Sequence, residues 1–214
     1  MAEREDRRVK SGKWLATSAL AVFAGAMAFA LPAAAQISSP SYNFLEAVRK
    51  KDAEKVENSL GETGPTLINT RDATTGDTAL HIVTARRDLN WLQFLLAKGA
   101  NPNVRNVRGL TPLSQAVTLG WLDGAEALLG NGARPDEPGD AGETALINAV
   151  HLRNTEMAEI LLKAGADPNR ADNSGRSARD YAQLQDKAGT LATMLESAAK
   201  TAAARKSRSY GPSF

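Results

Sequence analysis

A chain of 214 residues, 43% hydrophobic and 23% charged, holds enough apolar material for one ordinary domain or one short repeat array and lies outside the disordered class. Its formal charge of +2 is unevenly spread: residues 1–35 carry five basic and three acidic side chains, and Lys200, Arg205, Lys206 and Arg208 make the end basic, which leaves the body at −4. A body of that sign is not a nucleic-acid binder by its overall field, and the lack of cysteine excludes disulfides, a thiolate zinc site and a cysteine nucleophile.

The chain begins with Arg4, Arg7, Arg8, Lys10 and Lys13, then runs without charge from Trp14 to Leu31, followed by Pro32 and Ala33-Ala34-Ala35. A basic region, an apolar stretch and a small-x-small site are the three parts of a secretory signal, so residues 1–35 are expected to be a signal peptide cleaved after Ala35. Left uncleaved, the same stretch approaches the ~20 residues that span a bilayer and would anchor the chain in the inner membrane. In both cases the basic flank stays cytoplasmic and the rest is exported. Lys10, Ser11, Gly12 and Lys13 stand where a twin-arginine signal needs apolar residues, so Arg7-Arg8 does not make one. The short, alanine-rich signal is of bacterial type, and the expected compartment is the periplasm.

Next comes an internal period of 33. Thr78–His81, Thr111–Ser114, Thr144–Ile147 and Ser177–Asp180 start 33 residues apart. Gly76, Gly109, Gly142 and Gly175 keep the step, as do Gly99, Gly132 and Gly165, and the pairs Leu95-Leu96, Leu128-Leu129, Leu161-Leu162 and Met194-Leu195. Such a period marks a stack of supersecondary units, none of which buries its apolar face alone. Each unit reads as a turn and two antiparallel helices. Thr78, Thr111 and Thr144 can cap the first helix, and Pro112 fits a first helical turn. Leu80, Leu113, Leu146 and the Leu-Leu pairs face the core, while Ala116, Ala149 and Ala182 allow close helix approach. Gly99, Gly132 and Gly165 end the second helix in a left-handed conformation, and Asn101-Pro102 and Asp167-Pro168 turn the chain out of helix.

These residues resemble the ankyrin-repeat family, whose pattern joins Thr-Pro-Leu-His-x-Ala, a Leu-Leu pair and Gly-Ala-Asp-Pro-Asn. The last is present as Gly99–Asn103 and Gly165–Asn169, and more loosely as Gly132–Asp136. The resemblance covers about 42–199. It implies an all-α solenoid of about five helix-turn-helix units with β-turn-like connections, in a domain 36–199 with units near 42–71, 72–104, 105–137, 138–170 and 171–199. Phe44 to Val48 and Ala53 to Val56 form the opening helix pair. Phe44 precedes Leu80 by 36 residues, so three extra residues fall in a longer loop within 61–76. At the far end Arg179 replaces the core leucine, as in a polar cap, and 200–214 reads as a basic, disordered tail.

The resemblance places His81 on the turn backbone, tying neighbouring repeats, and gives Arg87 and Arg153 the family's glycine position between the helices, where a side chain must accept a strained backbone. Trp91 aligns inward as core, and Trp121 is expected to pack under the inter-helix loop. His151 faces the groove as a lone imidazole, with no second ligand to make a zinc site. No nucleophile–base pair, paired carboxylates or phosphate-cradling loop is visible, and Glu159–Lys163 is ordinary helix-surface pairing. Neither an enzyme nor a cofactor or metal is expected.

In this family turn tips form fingers and first helices line a palm, together a protein-binding surface. Carried onto this sequence, the expected partner-binding residues are Thr75, Asp77, Arg86, Val107, Arg108, Leu110, Thr118, Leu119, Asp140, Glu143, His151 and Leu152. The middle patch of Val107, Leu110 and Leu119, flanked by Arg105 and Arg108, has the apolar-within-charge build of a hot spot. The implied partner is an unidentified protein, held by a monomer, with no nucleic acid. Membrane contact is limited to an uncleaved anchor or weak contact of the basic tail with anionic headgroups. A second reading is an accessory protein that protects or regulates an envelope enzyme under stress.

Overall fold

The computed structural model describes residues 39–209; the signal peptide expected at 1–35 lies outside them. Ten helices follow in five antiparallel pairs: α1 (Pro40–Lys50) with α2 (Ala53–Thr63), α3 (Ala79–Ala85) with α4 (Leu89–Ala97), α5 (Pro112–Thr118) with α6 (Leu122–Gly130), α7 (Ala145–His151) with α8 (Thr155–Lys163), and α9 (Ala178–Asp186) with α10 (Thr190–Ser209). The expected all-helical stack of five units is therefore observed, with no strand among the described residues. The three additional residues near 61–76 are absorbed by a longer α2 and a 3-10 turn at Pro65–Asn69.

Local chemistry explains each start. Thr111 Oγ1 accepts from the Ser114 N–H at 3.1 Å while Ser114 Oγ accepts from the Thr111 N–H at 2.8 Å, a reciprocal cap. Ser177 and Asp180 repeat it at the head of α9. Between the helices the chain turns through Lys51, Arg87 and Arg153 at φ 59, 54 and 53, with Gly120 at φ 62 in the same place. Two of the side chains at this turn reach forward: Lys51 Nζ lies 2.7 Å from Asp88 Oδ2, and Arg87 Nη2 donates to the Leu119 carbonyl. Such ties offset part of the roughly 1–2 kcal/mol that a left-handed residue costs.

The core is continuous from end to end. Phe44, Leu80, Leu113 and Leu146 are sealed inside first helices, and Leu95, Leu128 and Leu161 inside second helices. Two polar ladders stitch the units. Asn69, Asn103 and Asp136 side-chain oxygens accept from the Asn101, Arg134 and Asp167 N–H groups of the following unit at 2.7, 2.8 and 2.9 Å. At the tips, the Val107 and Asn173 N–H groups donate to the Thr75 and Ala141 carbonyls.

Trp121 occupies the N-cap position of α6, where Asp52, Asp88 and Asn154 cap α2, α4 and α8, and gives that helix no side-chain hydrogen bond. Its ring is buried instead, as expected, over Gly124, where a Cβ would stand 2.1 Å from the ring. Gly124 aligns with Met157 of the next unit, which is fully buried. The Trp121 ring thus replaces the side chain Gly124 lacks.

Three expectations are corrected. Trp91 is half-buried rather than core, its ring edge-on to Phe94 at 5.4 Å with the Arg86 guanidinium 5.6 Å from its centre. In the last unit Leu195, not Met194, takes the sealed position of Leu161. The cause is α9, which has nine residues where α7 has seven, and which turns at Lys187 with φ −58 and no left-handed residue. Finally, the basic tail expected to be disordered from Lys200 is helical through Ser209 as part of α10. Ala198, Ala199, Ala202, Ala203 and Ala204 supply the helix propensity, and residues 210–214 lie outside the described part.

The outward face of α9 closes the stack. Thr84, Val117 and Val150 are fully buried beneath the following unit, and the equivalent Gln183 is exposed. Arg179 is half-buried at the leucine position. A polar outer face is what a terminal unit requires.

Candidate protein-binding surface

Neighbouring first helices pack closely against one another, while α6, α8 and α10 meet more loosely. The first-helix side is therefore the inner, concave side, and the turn tips rise from its edge. The tips are built by side chains that accept their own backbone. Asn106 Oδ1 takes the Arg108 and Leu110 N–H groups at 3.0 Å each, and Asp172 Oδ1 takes those of Ser174 and Arg176 at 2.8 and 3.1 Å. The Thr75 and Thr74 N–H groups and the Arg49 guanidinium together hold the Asp72 carboxyl down at about 2. The Tyr181 and Ser174 hydroxyls, with two N–H groups, do the same for Asp172. The third tip has Gly139 in the Asn106 position and Ile147 in the Ser114 position, so it lacks both the side-chain acceptor and the reciprocal cap.

His81 performs the tying role expected of it. Its Nδ1 accepts from the Thr78 N–H at 3.2 Å, so Nε2 carries the proton and donates to the Leu110 carbonyl of the next unit at 2.9 Å. Burial pushes the imidazole below its ordinary pKa. The folded state therefore holds His81 neutral where the unfolded chain would protonate it. Its contribution to stability is complete above about pH 6.5 and is lost as pH falls below that toward its lowered folded value. The midpoint of thermal unfolding should fall between pH 7 and pH 5, and His81→Asn should be less stable at pH 7 with a flatter dependence over that window. An equally steep profile in the variant would show that His81 does not carry it.

Several expected partner-binding residues are engaged inside the stack. Asp77 is half-buried and accepts from Asn106 Nδ2 at 2.7 Å, tying the first two tips. Arg86 donates to the Val48 carbonyl at 2.8 Å at the end of α1. The Thr118 hydroxyl, on an exposed residue, donates to the Ser114 carbonyl. Leu110 and Leu119, expected as exposed members of the middle patch, are half-buried, and Leu119 packs on the core. Arg105 is held by the Gly109 carbonyl and by Asp140 at 3.0 Å. The middle patch therefore reduces to Val107, 62% exposed, with Arg108 and Thr75 beside it on the tips.

The larger apolar exposure lies further along. Leu152 at the end of α7 is 52% exposed, and Leu184 on α9 is 70% exposed. His151 stands edge-on to Tyr181 of the next first helix at 4.5 Å, with Nδ1 3.9 Å from Glu143. Leu184 was findable: it follows His151 by one repeat length. The N-terminal end of the same face is charged instead, with Arg49, Lys50 and Glu46 on α1. Among the described residues no group of three or more His, Asp or Glu is placed to hold a metal ion, and no helix is long and apolar enough to cross a membrane.

A stack of paired helices with laddered tips and a concave row of first helices is a helical-repeat scaffold. Residues 44–139 match the family profile described as ankyrin repeats in three copies, and 128–182 match that for ankyrin repeats in many copies. This chain belongs to the ankyrin-repeat family. Over 46 residues it is 50% identical to a protein of Serratia liquefaciens described as Protein PhlB, a match covering 21% of this chain. The chain spans only 20% of that relative's length.

Proposed function

We propose that this protein is an interaction module of the bacterial periplasm, which holds a protein partner against the tips and concave face of its stack. The observation that carries this reading is the exposure of Val107, Leu152 and Leu184 on the inner face; among the described residues Tyr42 on α1 is the one other large hydrophobic side chain exposed to this degree. Solvated leucines along a rigid concave surface supply the apolar centre of an interface, and Arg108, Asp140, Glu143 and Arg153 around them supply a charged rim. Export rests on the basic start, the uncharged run 14–31 and the alanines before Gln36. Protein recovered from the periplasm should begin at Gln36; recovery only as the intact chain in the membrane fraction would replace the signal peptide by an anchor.

The binding claim is tested by capture from an envelope extract. Val107→Asp combined with Leu152→Glu should abolish recovery of the partner while leaving the thermal midpoint unchanged, because both side chains are exposed. Undiminished capture by that variant would place the interface elsewhere.

A further inference from the structure

On the reading that the inner side holds a protein, the way charge is matched within the stack indicates the chemistry of that protein. The aspartates of the tips are consumed internally: Asp72 by Arg49, Asp77 by Asn106, Asp140 by Arg105 and Asp172 by Tyr181. Glu143 keeps only the His151 ring, at 3.9 Å. The guanidiniums are not matched in this way. Among the described residues Arg108, Arg153 and Arg176 are exposed and form no ion pair, and Arg71 and Arg87 donate to backbone carbonyls alone. On the second helices the imbalance is reversed, since Glu62, Asp123, Glu126 and Glu156 are exposed and form no ion pair. A body that is acidic in sum therefore presents unmatched positive charge on its tips and inter-helix turns.

These guanidiniums accompany the exposed apolar side chains. Val107 precedes Arg108, and a Cβ on Gly76 would stand 3.0 Å from both Val107 Cγ1 and the Arg71 guanidinium, so both groups border one glycine. Leu152 precedes Arg153. The Arg176 guanidinium lies 6.0 Å from the centre of the Tyr181 ring, and Tyr181 stands one turn before Leu184 on α9. Packed helices lie about 8–10 Å apart, close to the Debye length of about 8 Å at physiological salt. A ligand on the inner side thus meets the near arginines more strongly than the carboxylates of the second helices. A guanidinium pairs with a carboxylate through two parallel hydrogen bonds, which gives direction as well as attraction. A nucleic acid has no apolar side chains to cover Val107 and Leu152, and a bilayer is flat where this side is concave. We propose that the partner presents an acidic segment to the inner side, with Asp or Glu residues next to apolar ones. Its carboxylates pair with Arg108, Arg153 and Arg176, while its apolar side chains cover Val107, Leu152 and Leu184. A basic segment of the same apolar content meets like charge and is rejected, which is how charge supplies specificity.

The test is selection of random sixteen-residue peptides displayed against the full chain, followed by fluorescence anisotropy with the enriched peptides. Enrichment of Asp and Glu beside apolar residues is the expected result, with affinity falling about tenfold from low to physiological salt. Arg108→Glu combined with Arg153→Glu should weaken binding by about tenfold or more at an unchanged thermal midpoint, whereas Glu126→Lys on α6 should alter it by less than about twofold. Arg153→Gly should weaken binding severalfold while raising the thermal midpoint, because glycine relieves the left-handed backbone at φ 53; a structural role alone would not separate those two readouts. Absence of enrichment, basic or uncharged enriched peptides, or binding indifferent to the arginine reversals would overturn the acidic partner. So would equal or tighter binding of a single-stranded oligonucleotide or of phosphatidylglycerol vesicles at the same salt. Enriched peptides without acidic residues that still lose binding on Leu152→Ser would overturn the acidic partner and leave the interaction-module reading standing.

Discussion

Trp121→Asn should destabilise the stack by about 2–4 kcal/mol, although it restores the kind of polar cap residue that starts α2, α4 and α8. Losing a buried tryptophan costs about 3–5 kcal/mol, and a recovered N-cap returns only about 1. The deficit arises because Gly124 has no side chain to fill the space the ring leaves. Gly124→Met alone should be as damaging, since its Cβ would stand 2.1 Å from the ring. Together the two substitutions reproduce the Asn154–Met157 arrangement of the next unit, where Asn154 caps α8 and Met157 is fully buried. The double variant should regain most of the lost stability in urea unfolding. Additive losses in the double variant would show that the two positions do not share one volume.

Gly142→Ala should cost about 2–4 kcal/mol, and Gly175→Ala about 1–2, although the two glycines hold equivalent places at φ 78 and φ 80. The difference lies in the following unit. A Cβ on Gly142 would stand 2.7 Å from the Asn173 backbone nitrogen of the next tip, whereas a Cβ on Gly175 meets nothing within 4 Å. Backbone cannot yield as a flexible side chain does, so the first substitution disturbs the tip ladder as well as the turn. Equal losses at the two sites, measured by chemical unfolding, would mean that packing between tips contributes nothing.

Most of the architecture was legible because it is periodic. A hydroxyl at a helix start, a leucine two residues on and a glycine at the helix end recur at one spacing, and a single arrangement satisfies them all. What escaped was set by contacts between units. Leu110 and Leu119 occupy tip and palm positions, but how far each is covered depends on the neighbouring turn, which no period encodes. Gln183 signals the end of the stack by polarity alone, while the slip from Met194 to Leu195 follows from two extra residues in α9 that its own sequence does not announce. The basic tail was ambiguous for a different reason: its charge argued for disorder and its alanines for helix, and propensity prevailed as far as Ser209. Arg87 and Arg153 were legible as departures from glycine, but not the outcome that one is tied to the next unit and the other is not.

The central claim is that the concave face meets a protein. It is tested most directly by a photo-crosslinking residue placed in turn at Val107 and Leu152 on the inner face, and at Gln93 and Glu126 on exposed faces of α4 and α6. Irradiation of cells should yield one covalent adduct of the same mass from Val107 and Leu152 and none from Gln93 or Glu126. Adducts from the second-helix positions, with none from the inner face, would contradict the account.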